Sequence, residues 1–169
     1  MSILLPLARM TTARIRTFSS AFLDDLAIRA AATPRRRLNH NLHTANEYPC
    51  HRLFNALQAD TYVQPHCHAD PSKDETVVLL RGKLGLIEFT PDGQVVATQI
   101  IRPGMVVDIP HGTFHGWCCL EDDSVFFEAK AGPYAPLTPE ERANFAPPEG
   151  DPRVPEYLAW LKQLCRTAE

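Results

Sequence analysis

Two periods run along this chain. Between about residues 35 and 130, short runs rich in Val, Ile, Leu, Phe and Thr alternate with turn signals roughly every eight to twelve residues, the spacing of strands in an all-β barrel or sandwich. Outside that stretch the period is helical. Phe22, Leu26 and Ala30 recur four apart behind Ser19 and Ser20, either of which can cap a helix that Thr33-Pro34 ends near Ala32. Near the other end Val154, Tyr157, Leu158, Leu161, Leu164 and Cys165 trace one stripe, which predicts a helix packed on the barrel wall or on another subunit.

The clearest turn is 90-TPDG-93, where proline sets φ, aspartate bonds its own backbone and glycine accepts positive φ. It predicts a hairpin of 83–89 with 94–101. Further turns at Arg81-Gly82, 102-RPG-104, 110-PHG-112 and 121-EDDS-124 leave strands at about 75–80, 105–109, 113–119 and 125–130. With 37-RLNHNLH-43 and 52-RLFNAL-57 the count reaches eight, enough to close a small barrel or two-sheet jelly roll. Thr138 followed by Glu141 forms a capping box with Pro139 at the first helical position, so a short helix is expected there. The resulting division is an N-terminal extension over 1–18, expected to lack fixed structure, a helix in 19–34, a barrel over 35–134 and a helical wrap over 135–169.

Composition narrows the partners. A formal net charge of -3 gives no basic excess to attract nucleic acid or an anionic membrane, and no apolar run approaches the ~20 residues of a spanning helix. Small molecules and further copies of the chain remain, and a homodimer is expected. Five cysteines without a C-x-x-C pair suit reduced thiols in a cytoplasm better than a disulfide framework. The first 23 residues lack Asp and Glu and carry Arg9, Arg14 and Arg16, a faint likeness to a targeting peptide that a loosely held extension explains equally well.

The candidate chemistry lies in 65-PHCHADPSKDE-75. On a strand His66 and His68 project to one face and Cys67 to the other, which suits chelation by the histidines and argues against the thiol. Glu75, opening the next strand, can swing beside them if 69–74 is a loop. His115 offers a fourth donor after the tight turns of 104-GMVVDIPHG-112, whereas His111 reads as an exposed turn residue.

At this point the residues resemble the two signature motifs of the cupin superfamily: His66-x-His68-x6-Glu75-x6-Gly82, and Gly104-x5-Pro110-x-Gly112-x2-His115. The resemblance implies an all-β fold, a double-stranded β-helix or jelly-roll barrel with an N-terminal helix and a C-terminal helical extension. It implies that His66, His68, Glu75 and His115 hold one divalent transition metal. Two departures stand out. Six residues separate His68 from Glu75 where cupins usually have three or four, and Cys119 stands where the second motif usually ends in asparagine. Extra loop residues cost little entropy, and the cysteine leaves the four donors untouched.

Over about residues 20 to 160 the chain is also similar to the small bacterial cupins called the WbuC family, through 34-PRRRLNHNLH-43, 61-TYVQPHCH-68, the hairpin at Gly82, 128-EAKAGPY-134 and 145-FAPPEG-150. That likeness implies a setting in surface-polysaccharide biosynthesis. Three imidazoles and a carboxylate suit Fe, Mn, Ni, Co or Zn without choosing among them. Arg37, Asn39, Asn41 and His43 alternate with Leu38, His40 and Leu42, so their polar face either lines the barrel mouth as a binding wall for sugar hydroxyls or carboxylates, or meets solvent on an edge strand. His43, Lys130 and Tyr134 are the candidate proton donors or anion contacts. The functional readings are an isomerase- or epimerase-like enzyme acting on a sugar or sugar acid through a Lewis-acid metal, a metal-dependent carbohydrate-binding module without turnover, and an Fe(II)-dependent dioxygenase.

Overall fold

The computed structural model describes residues 14–167. The extension expected over 1–18 therefore lies largely outside the described residues. Its described end is ordered against the barrel, with the Phe18 ring 4.9 Å from Phe54 and 4.8 Å from Phe22.

Helix α1 (Ser20–Ala31) is followed by eight strands: β1 (Arg37–Asn41), β2 (Cys50–Leu57), β3 (Glu75–Arg81), β4 (Leu84–Phe89), β5 (Val95–Ile101), β6 (Val106–Ile109), β7 (Phe114–Cys119) and β8 (Ser124–Ala131). Helix α2 (Val154–Arg166) closes the described chain. The strands form two antiparallel sheets, ordered β1-β2-β8-β3-β6 and β5-β4-β7. This is the expected cupin jelly roll, with one helix before it and one after.

Alternation decides which side chains the sheets enclose. Val77 and Leu79 of β3, Phe126 of β8, Leu57 of β2, Leu84 and Leu86 of β4, and Trp117 and Cys119 of β7 pack together between the sheets. The opposite face of the larger sheet, carrying Phe54, Ala56 and Val125, receives Leu26, Ala27 and Ala30 of α1. On the smaller sheet Ile87 and Cys118 receive Leu158, Leu161 and Cys165 of α2, so the helical stripe covers its own barrel. Each fully buried leucine on that face contributes roughly 1.5–3 kcal/mol. Gly85 makes the close approach possible, since a Cβ there would collide with the sulfurs of Cys118 and Cys165.

Two local expectations are corrected. Ser19 occupies the N-cap but makes no side-chain cap bond; its carbonyl accepts from Phe22 N and Leu23 N instead. The short helix expected from Thr138 is absent. The capping pair forms only a turn, in which the Thr138 N–H donates to Glu141 Oε2 at 2.8 Å. The other carboxylate oxygen accepts from Ala69 N at 2.8 Å, and Ala143 N donates to Pro65 O at 3.0 Å, so the chain is drawn out as a strap beside the histidine segment.

Candidate metal centre

Glu75 and His115 come from regular strands, and their places follow from register. Glu75 opens β3 opposite Lys130 of β8 and Ile109 of β6; His115 on β7 lies opposite Glu88 of β4. Both point between the sheets, at the end away from the Leu79–Phe126 cluster. The histidine pair differs from expectation, because it does not lie on a strand. His66 makes isolated bridges to His115 and Arg142, and Pro65 before it has no N–H to extend the ladder. Paired bonds fix it nonetheless: His66 N donates to His115 O at 3.0 Å and His115 N to His66 O at 2.9 Å. Gly112 N donates to His68 O at 2.7 Å. The alternation survives without the strand, since Cys67 is buried on the other side and its N–H donates to Glu141 O at 2.9 Å.

Donor atoms of His66, Glu75 and His115 lie within 4.8 Å of one another. His68, the fourth expected donor, is not part of that group: its Nε2 lies 3.1 Å from Glu75 Oε2 as a hydrogen-bond neighbour, and its ring centroid is 5.2 Å from that of His66. Tautomers follow from the backbone. His66 Nδ1 lies 3.1 Å from Gln64 O and His115 Nδ1 lies 2.9 Å from Thr113 O. A carbonyl only accepts, so each Nδ1 carries the proton and each Nε2 keeps a lone pair. His115 Nε2 is buried and has no hydrogen-bond partner. An orphaned lone pair facing a buried imidazole and a carboxylate fits a divalent metal ion, and it is expensive otherwise.

Protonation agrees. Burial, helped by neighbouring His115, pushes the His66 imidazole down to about 3, and burial also lowers His115. Burial opposes ionisation of Glu75, but the His68 hydrogen bond and the Lys130 ammonium outweigh it and hold the carboxyl at about 2. At neutral pH His66 and His115 are unprotonated and Glu75 is ionised, the states that metal binding requires of them.

Cavities lie in and beside the cluster. One of about 240 Å³ is bordered by His66, His68, Lys73, Lys130, Tyr134 and Leu137. A second, of about 190 Å³, shares His51, Lys130 and Tyr134 and adds Asn39, Asn41 and His43. A third, of about 300 Å³, reaches His115 past Leu86, Glu88 and Gln99. The polar stripe of β1 lies on the edge strand of the larger sheet, with Asn39 and Asn41 exposed.

Arg37 is committed to the wrap: its guanidinium donates to Tyr62 O at 2.7 Å and to Glu149 at 2.8 Å. Asn39 Nδ2 donates to Asn41 Oδ1 at 2.7 Å. His43 Nδ1 is tied to the Arg52 backbone at 3.2 Å, and its ring stacks on His51 at 4.0 Å. Tyr134 is 59% exposed and its N–H donates to Asn46 O at 2.7 Å. His111 sits in its turn against Asp74, outside the donor cluster.

Glu128 was not evident as a site residue. Its carboxylate is buried, with Oε1 2.6 Å from Lys130 Nζ and Oε2 accepting from Asn55 Nδ2 at 2.8 Å. Burial, then the charge of Glu75, raises its pKa. Burial works against the Lys130 ammonium, but Glu128 and Glu75 prevail and raise its pKa too. The available signal was 124-SVFFEAKA-131, where alternation puts Glu128 and Lys130 on the inner face with Phe126.

Fold and site together define a cupin-type jelly roll with a histidine–carboxylate cluster between its sheets. A family model described as "Domain of unknown function (DUF6016)" matches residues 18–101. Among curated proteins, none matches the chain. Solved structures similar to it include KdgF from Halomonas sp., 17% identical, covering 62% of this chain and 85% of its own, with TM-score 0.49. An RmlC-like cupin from Desulfovibrio desulfuricans is 16% identical over 75% of this chain and 96% of its own, with TM-score 0.45. Another RmlC-like cupin, from Shewanella frigidimarina NCIMB 400, is 12% identical over 56% and 75%, with TM-score 0.44. The fold itself is defined by the strand order and registers above.

Proposed function

We propose that this protein is a metal-dependent cupin that takes a small sugar or sugar acid as its ligand and carries out isomerase- or epimerase-like chemistry on it. The observation that carries the reading is the orphaned Nε2 of His115, buried beside His66 and Glu75 and close to cavities walled by polar side chains. His66, His68, Glu75 and His115 would hold the ion. When bound, a divalent metal at this site supplies Lewis-acid polarisation of a carbonyl or hydroxyl oxygen.

The chain's own groups provide the rest. Lys130 borders both cavities beside the histidines, and its raised pKa keeps it an ammonium, so it donates a hydrogen bond to a ligand oxygen and holds a proton rather than accepting one. Tyr134 presents a phenol at the same rim. Asn39, Asn41 and His43, which line the second of these cavities, offer amide and imidazole groups suited to hydroxyls. The segments that resemble the WbuC family support a role in surface-polysaccharide biosynthesis.

The test is to incubate the metal-loaded protein with a panel of aldoses, ketoses and sugar acids in D2O and follow them by proton NMR. Metal-dependent deuterium entry at the carbon next to the carbonyl, or a new epimer, is expected. Saturable binding without exchange would replace this reading by a carbohydrate-binding module. Oxygen uptake that requires Fe(II) would replace it by a dioxygenase.

A further inference from the structure

Glu128 lies outside the donor set, yet it is a carboxylate only 6% exposed between the sheets. Register explains its position. Lys130 is opposite Glu75, and Glu128, two residues earlier on the same face, is opposite Val77. Lys130 Nζ is therefore placed between two buried carboxylates, 2.6 Å from Glu128 Oε1 and 3.8 Å from Glu75 Oε2. The Asn55 amide fixes the other oxygen of Glu128 at 2.8 Å, so the short contact to lysine is made by a carboxylate that is itself held.

A buried ion pair of this kind is weak support for stability, since an apolar pair of similar volume would often serve as well. Its geometry bears on the neighbour instead. An ammonium and a divalent cation compete for the oxygens of Glu75, and they repel each other at close range. We propose that Glu128 is a positioning residue: it holds the Lys130 ammonium off Glu75 and so keeps that carboxylate available to a divalent metal ion. The inference rests on the metal-centre reading above.

The test measures Co(II) and Zn(II) affinity of the full-length protein by competition with a chromophoric chelator, for the native chain, Glu128→Gln, Lys130→Met and the double variant. Glu128→Gln should bind roughly tenfold more weakly, Lys130→Met at least as tightly as native, and the double variant within about threefold of Lys130→Met. Loss of one negative charge acting alone would weaken binding by the same factor with or without the lysine. That result, or native affinity in Glu128→Gln, overturns the proposal. If Glu128→Gln does not fold, Glu128→Asp keeps the charge but shortens the reach to Lys130. Weakening that disappears in the Lys130→Met background is then expected, and native affinity overturns the proposal. A native protein that binds neither ion would overturn the metal-centre reading and this inference with it.

Discussion

The two ends of the barrel interior are built on the same strands and have opposite chemistry. Along β3 the inner face runs from Glu75 to Val77 and Leu79; along β8 it runs from Lys130 and Glu128 to Phe126; along β7 it runs from His115 to Trp117 and Cys119. The apolar end needs no explanation beyond burial. At the polar end each buried charge incurs a desolvation cost that an apolar residue would avoid, so its presence points to a task other than folding.

The largest effect that would sharpen this contrast is on stability. Leu79→Ala at the apolar end should cost about 2–5 kcal/mol by leaving a cavity, while metal bound per folded molecule stays native. Chemical denaturation and metal analysis of the folded fraction check both halves. Comparable loss of metal would mean that the two ends are not separable.

The second contrast is the reverse. His68→Ala should remove most bound metal, and the stability of the metal-free protein should change far less than in Leu79→Ala. Full metal occupancy after His68→Ala would remove that residue from the donor set.

A third follows from protonation. In the metal-free protein His66 titrates near 3 when folded, below the ordinary value of 6.5, so between these values the unfolded chain binds the extra proton and stability falls as pH falls. Glu75, held at about 2 against an ordinary 4.5, acts in the same direction: its contribution is present above 4.5 and is lost as pH falls toward 2. Melting temperature should therefore decline on acidification from about pH 6.5, and His66→Gln should flatten the upper part of that decline. A curve unchanged by the substitution would contradict the buried, unprotonated state.

The smallest effect is expected at Cys67, buried on the side of its segment away from the His66 and His68 rings. Cys67→Ala should leave metal content unchanged, and loss of metal would show that the thiol reaches the centre.

Much of this contrast was legible in the residues. Strand boundaries followed from turn chemistry, because prolines and glycines punctuate the chain where the sheets reverse, and His66, Glu75 and His115 could be named from spacing. The strap from Thr138 was misread as a helix because the capping pair is local, while the bonds from Ala69 N to Glu141 and from Ala143 N to Pro65 join residues far apart in sequence. The strand expected for the histidine pair failed for a similar reason, since its two bridges go to different elements. The period of β8 turns Glu128 inward, but its partners Lys130 and Asn55 are set by strand pairing, which the period alone does not give.

The central claim is that His115 Nε2 is a metal ligand. The most direct measurement is titration of the metal-free protein with Co(II), reading the visible d–d bands and the stoichiometry. The account predicts saturation at one equivalent, with both lost in His115→Ala. The same spectrum and stoichiometry in His115→Ala, or no saturable band in the native protein, would contradict it.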